Sequence, residues 1–267
     1  MEYTYDNVDV EKLSPMMQQY LTIKRSNPDV LLFFRLGDFY ELFFDDARLV
    51  SSELDLVLTG RDCGLEERAP MCGVPFHSAD SYIARLVERG YKVAICEQTE
   101  DPKKAKGLVR RDLTRIITPG TVIDSNMLDE GKNNYLACVY VMGRQASICF
   151  ADVSTGEVHA TTLRGDSFLP DLIGELGKFS PSEIRYNRAA GELLPLKNYL
   201  DKLENVSIEC VEEAEANREA CARTICSVVG EETLTHLEQT EDEAMIFALG
   251  ICFAYLTKTQ MTSLENI

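Results

Sequence analysis

The sequence is poor in positive charge. Its 267 residues carry 27 Lys and Arg against 44 Asp and Glu, a formal net charge of −17, and over the whole chain that balance disfavours a nucleic-acid surface. Export and membrane signals are missing too. The first residues, MEYTYDN, have neither the basic nor the apolar region of a secretory signal. The longest apolar run, Met245 to Leu256, is 12 residues long, whereas a membrane span needs about 20. Nine cysteines are an odd set at no regular spacing, and the three histidines lie far apart in sequence. That pattern excludes a disulfide framework and suits a reducing compartment. A phosphate-binding loop is also missing, because Gly131-Lys132 and Gly177-Lys178 lack the upstream glycine and the following Ser or Thr. The chain is therefore expected to be cytoplasmic, off the membrane, and without a cofactor of its own.

What is present is enough apolar material, 45 % of residues, for two cores at about 100–200 residues per domain. The charge is unevenly spread. Residues 1–118 hold 16 basic and 20 acidic side chains, and residues 119–267 hold 11 and 24, so the acidity belongs mainly to the second half. Within the first half, Lys103, Lys104, Lys106, Arg110, Arg111 and Arg115 stand close together against Asp112 alone. Between the halves, Thr118-Pro-Gly-Thr121 and the polar stretch 124–134 carry turn signals without periodicity. These features divide the chain into a flexible tail at 1–12, a domain at 13–118, a linker at 119–133 and a second domain at 134–267.

In the first domain, Ser14-Pro15 marks a helix start, and Met17, Tyr20, Leu21 and Lys24 follow at helical spacing. The run Val30 to Leu36 reads as a buried strand ending in the turn Gly37-Asp38. Helical character returns at 45–54, strand alternation at 55–59, a helix closed by Gly90 at 81–90, and strands at 91–97 and 113–118. The domain is mixed α/β. The second domain opens with three β-type runs at 135–141, 146–152 and 157–163, joined by hairpin turns. A helix at 167–178, a strand at 183–186, a helix at 189–201, a strand at 206–210 and further helices complete the order β-β-β-α-β-α-β-α of a ribonuclease H-like fold.

That order raises the possibility of a metal-dependent nuclease, which needs several carboxylates converging on two metals. Only Asp152 is suitably placed at a strand end, and Asp152-Val-Ser-Thr-Gly156 reads more naturally as a hairpin turn. Cys63, Cys72 and Cys96 match no zinc spacing, and His77 has no nucleophile or metal motif beside it.

The distinctive segment is Phe33-Phe-Arg-Leu-Gly-Asp-Phe-Tyr-Glu-Leu-Phe-Phe-Asp-Asp-Ala47, in which a glycine turn presents Phe39, Tyr40 and Glu41. It resembles the mismatch-binding motif of the MutS family of DNA mismatch-repair proteins. Arg68-Ala-Pro-Met-Cys-Gly-Val-Pro-Phe-His77, Lys92-Val-Ala-Ile-Cys-Glu-Gln98 and Arg115-Ile-Ile-Thr-Pro-Gly-Thr121 agree in order and spacing, and Ala151-Asp-Val-Ser-Thr-Gly-Glu157 looks like that family's connector domain. The resemblance implies that Phe39 and Glu41 take the places of the family's Phe-x-Glu pair, which reads mispaired or looped-out bases in double-stranded DNA. It also implies an N-terminal piece of a longer homodimeric ATPase, with ATP and magnesium held in a part absent from this chain. The connector would meet a MutL-type protein, and the whole would sit on the nucleoid. Without the resemblance, Phe39 reads as a core aromatic and Glu41 as an acid at a helix start. The basic residues Lys103, Lys104, Lys106, Arg110 and Arg111, together with Arg35 and Arg61, are candidates for DNA-backbone contacts. A pure protein-docking module is the remaining alternative.

Overall fold

Proline at the first helical position and apolar residues three and four apart build α1, Pro15–Ser26, whose Met17, Tyr20, Leu21 and Lys24 are buried. It lies on a mixed sheet. In this computed structural model, residues 3–100, 107–128 and 131–261 are described, and the chain divides into two units, Met1–Ile117 and Thr118–Ile267.

The first unit's sheet is made of β1 (Leu31–Leu36), β2 (Phe39–Phe43), β3 (Thr59–Arg61), β4 (Ala69–Pro75), β5 (Val93–Gln98) and β6 (Arg111–Ile117), with α2 (Phe44–Leu54) and α3 (Ala79–Val87) between strands. The strand order is β3-β4-β2-β1-β5-β6. Only β1 and β5 run parallel, and the other neighbours are antiparallel. Tyr20 of α1 meets Phe34 and Phe43 edge-on, at ring distances of 5.4 and 5.0 Å. This aromatic contact ties the helix to the sheet face that also carries Glu41.

The second unit contains β7 (Leu136–Met142), β8 (Gln145–Asp152), β9 (Glu157–Arg164), α4 (Phe168–Phe179), β10 (Glu183–Tyr186), α5 (Arg188–Gly191), α6 (Leu194–Leu200), β11 (Ser207–Cys210), α7 (Arg218–Val229), α8 (Glu231–Gln239) and α9 (Glu243–Gln260). Its sheet order is β11-β10-β7-β8-β9. The first three strands form an antiparallel meander, and β10 and β11 join in parallel, as in a ribonuclease H-like fold. One face packs Leu136, Cys138 and Cys149 against α7 and α9. The other packs Ala137, Val139, Ile148 and Phe150 against α4 and α6. Because both faces are covered, β7 and β8 read as continuous apolar runs. The apolar segment Met245 to Leu256 is accordingly a buried helix of this unit, and among the described residues no helix is long and apolar enough to cross a membrane.

Several expectations are corrected. Residues 3–12 pack on the first unit: the Arg25 guanidinium donates to the carbonyls of Tyr5 and Val8, Arg48 donates to Tyr3, and Val8 is buried. Those bonds need cations from two helices, which a local reading of the tail cannot see. The expected linker begins inside the second unit, where Thr118 to Thr121 are buried. The strand expected at 55–59 lies later, at Thr59–Arg61, because Asp55 ends α2 in a left-handed conformation, φ 56°. The helix expected at 189–201 is two helices, the second opening with Leu194-Pro195, whose proline cannot continue the first.

Candidate nucleic-acid interface

β1 and β2 form a hairpin with a two-residue turn, in which Leu36 faces Phe39. Gly37 takes φ +59° at the first turn position, where tight hairpins need positive φ and glycine supplies it without steric cost. The turn places Phe39 at the head of β2 with 46 % of its surface exposed. Alternation along the strand then puts Phe39 and Glu41 on one face and the buried Tyr40 on the other. Phe39 is thus an exposed aromatic and Glu41 a strand residue, so neither the core-aromatic nor the helix-start reading holds.

The hairpin is braced from behind. Tyr40 donates its hydroxyl to Glu97 of β5, and burial, reinforced by that carboxylate, pushes the phenol's pKa up so that it stays a donor. Arg35 Nε donates to the Gly37 carbonyl at 2.6 Å. Its guanidinium lies 3.6 Å from the ring centre of Phe76, the residue after β4, and 3.7 Å from Glu97. Phe76 N–H also donates to the Asp38 carbonyl in the turn. Arg35 therefore fastens the turn on the face opposite Glu41.

On the Glu41 face, Arg61 of the edge strand β3 makes an ion pair and a hydrogen bond to Glu41 Oε2. Gly73 of β4 stands directly opposite Glu41. A Cβ at Gly73 would lie 3.4 Å from Glu41 Cγ and 3.1 Å from the Tyr40 carbonyl, so the bare backbone leaves room for the carboxylate stem. Arg111 lies further along this face and is only 6 % exposed. It donates to the Arg35 and Val109 carbonyls and to Gln19, with its guanidinium 5.1 Å from the Phe34 ring centre. Burial, with a smaller push from the charge of Arg61, lowers its pKa. As a candidate backbone contact Arg111 is corrected, because it is buried and its Nε and Nη1 are committed inside the unit. Arg110 is exposed and pairs with Asp112 at 2.9 Å, while Lys103, Lys104 and Lys106 lie outside the described residues. The structure therefore brings together Phe39, Glu41 and Arg61. The Arg61 and Gly73 connections had no sequence signal beyond residue type.

In the second unit, Asp152 is fully buried, and its carboxylate accepts from Ser154 N–H, Ser154 Oγ and Asn134 N–H at 2.9, 2.6 and 3.0 Å. It closes a turn, and among the described residues it has no part in a converging set of metal-binding side chains. The other buried acid, Glu183, accepts from Gly120 N–H at 3.0 Å, from Tyr255 at 2.7 Å and from the Thr118 hydroxyl. Both carboxylates stand where the parallel strands begin, away from the carboxyl ends at which open sheets bind ligands. The nuclease alternative is left without its residue.

Residues 14–126 match the family described as MutS domain I, and residues 134–267 match MutS domain II. The chain is 49 % identical over 255 residues to the DNA mismatch repair protein MutS of Acetivibrio thermocellus, covering 96 % of this chain and 29 % of that protein. It is 46 % identical over 258 residues to MutS of Caldicellulosiruptor bescii, covering 97 % and 28 %. It is 57 % identical over 180 residues to MutS of Clostridioides difficile, covering 67 % and 19 %. The chain spans less than a third of the length of these curated relatives.

Proposed function

Because the chain belongs to the MutS family and carries its domains I and II, we propose that it is the part of a longer mismatch-repair protein that reads mispaired or looped-out bases in duplex DNA. Phe39 is the wedge. Inserting a ring between base steps from the minor groove costs about a few kcal/mol of stacking, least where pairing is already broken. Stacking on the exposed base returns about 1–3 kcal/mol whatever the base, so the lesion is read as deformability. Glu41, two residues along the same face, accepts a hydrogen bond from a displaced base, and its charge penalises an undistorted duplex through the phosphates. The single observation that supports this most is the exposed Phe39 ring on a hairpin fastened by Arg35, Tyr40 and Glu97. ATP and magnesium would be bound elsewhere in the longer, homodimeric protein, and no residue of this chain is assigned to them. In that longer protein, Phe39→Ala should lower the ratio of mismatched to matched duplex affinity about tenfold, on the scale of one lost base–ring stack. An unchanged ratio would overturn the wedge.

The second unit favours protein over DNA as its partner. Residues 119–267 hold 24 acidic side chains against 11 basic ones, which disfavours phosphate contact. We assign it the docking of a MutL-type protein through a transient-sized interface. Crosslinking in the longer protein, with mismatched DNA and ATP present, should map contacts to residues 134–267. Their absence there would reduce this unit to a spacer.

A further inference from the structure

We propose that Arg61 is a positioning residue that acts through Glu41, holding one carboxylate oxygen so that the other is presented to a base in a fixed orientation. The inference rests on the reading of Phe39 and Glu41 given above and deepens it. Arg61 engages Oε2 of Glu41, and among the described residues Oε1 has no such partner. The pair is layered: the Glu41 side chain is 15 % exposed and that of Arg61 36 %, so the guanidinium is the more accessible member. Across the strand pair the carboxylate stem faces Gly73, where no side chain intervenes. Glu41 is thus given room at its stem and held at one carboxylate oxygen by a cation. Arg111 supplies further positive charge on the same face, with its Nε and Nη1 already engaged.

This differs from a plain phosphate contact. A cation that only neutralises phosphate strengthens binding to every duplex equally and steepens the salt dependence by about one counterion. A residue that orients Glu41 changes the ratio between mismatched and matched DNA, because only the mismatched duplex offers the base donor that Glu41 meets. Lysine is a poor substitute, since it offers a mobile point charge where arginine offers a planar fork.

The test is a double-mutant cycle in the longer protein, reading affinities for mismatched and matched duplexes at two salt concentrations. Arg61→Gln should lower the mismatched-to-matched ratio about threefold or more, the scale of one partly exposed ion pair. In a Glu41→Gln background the same substitution should leave the ratio where Glu41→Gln put it, giving a coupling between the two sites. Arg61→Lys guards against misfolding, because it keeps the charge and should hold matched affinity while losing part of the ratio. Thermal melting of each variant shows that the domain is folded. Equal loss for both duplexes, whatever occupies position 41, makes Arg61 a phosphate contact and overturns the inference. An unaltered ratio in a folded Arg61→Gln protein overturns it too. If Glu41→Gln itself leaves the ratio unchanged, it is the underlying reading of Glu41 that fails.

Discussion

Asp46→Ala should cost the first unit more stability than any surface change, because one buried carboxylate joins three elements. The Lys24 ammonium lies 2.8 Å from Asp46 Oδ1, with the two side chains 3 % and 6 % exposed. It also donates to the carbonyls of Pro28 and Val30 at 3.0 and 2.6 Å, while Asp46 Oδ2 accepts from Leu32 N–H at 3.0 Å. The end of α1, the first residues of β1 and the first turn of α2 are thereby tied at one point. Burial is the largest influence on the Asp46 carboxyl and raises its pKa, although Lys24 and the Leu32 N–H pull the other way. Pairing therefore does not fully offset desolvation, as is common for enclosed ion pairs.

Removing the carboxylate leaves an enclosed ammonium and an unaccepted N–H, and the first alone costs about 3–5 kcal/mol. Lys24→Met should cost less, since the stranded carboxyl can take up a proton. The double variant should cost clearly less than the sum, because neither charge then remains unpaired. The assay is urea unfolding followed by hydrogen exchange of α1 and β1 amides, which reports this unit apart from the second. A cost below about 1 kcal/mol for Asp46→Ala, or strict additivity in the cycle, would refute the reasoning. The sign with pH follows from the raised value: this carboxyl's contribution is fully present below the ordinary carboxylate range and is lost as pH rises through the folded value.

Two further outcomes are expected. Burial pushes the Cys72 and Cys96 thiols up to about 12, so their contribution is fully present below the free-thiol value of about 8.5 and is lost as pH rises towards the folded value. Between pH 8 and 10.5 the first unit's urea midpoint should fall further in the native chain than in a Cys72→Ala, Cys96→Ala variant, and equal falls would refute this. Glu183→Ala should remove the carboxylate that accepts from the Thr118 hydroxyl, the Gly120 N–H and the Tyr255 hydroxyl, at about 2–4 kcal/mol in all. Exchange at Gly120 should then accelerate, and an unaltered rate would show that Glu183 does not hold this segment.

Elements whose signal is local were legible. Ser14-Pro15 with its apolar spacing fixes α1, and the alternation and turn residues of 135–163 fix the meander within a residue or two. β2 was hidden by its own turn chemistry, since Gly37-Asp38 followed by aromatic and acidic residues suggests an open loop as readily as a hairpin. The tail and the first residues of the expected linker were misread for a common reason: their backbone groups are satisfied by side chains distant in sequence, Arg25 and Arg48 for one and Glu183 for the other. No window of ten residues contains both partners.

The candidate site divides along the same line. Phe39 and Glu41 were reached through the family resemblance, because the residues alone read as a core aromatic and a helix-start acid while β2, whose alternation presents them, was itself hidden. Arg61 was legible as a basic residue and not as the partner of Glu41, because their meeting requires β4 to lie between their strands. β4 carries Pro70, Gly73 and Pro75, residues that argue against a strand with neighbours on both sides. In the sheet the two prolines fall near the strand's ends, opposite Gly60 and Phe39, and the glycine falls opposite Glu41. The composition that disguises the strand is therefore the composition that makes room for the carboxylate. Arg111 shows the converse. Counting charge places it in a basic stretch, whereas β6 turns its side chain towards Phe34 and the Arg35 carbonyl. Among the described residues of that stretch only Arg111 and Arg115 lie on β6, so a count of neighbouring cations does not by itself give a surface for a phosphate backbone.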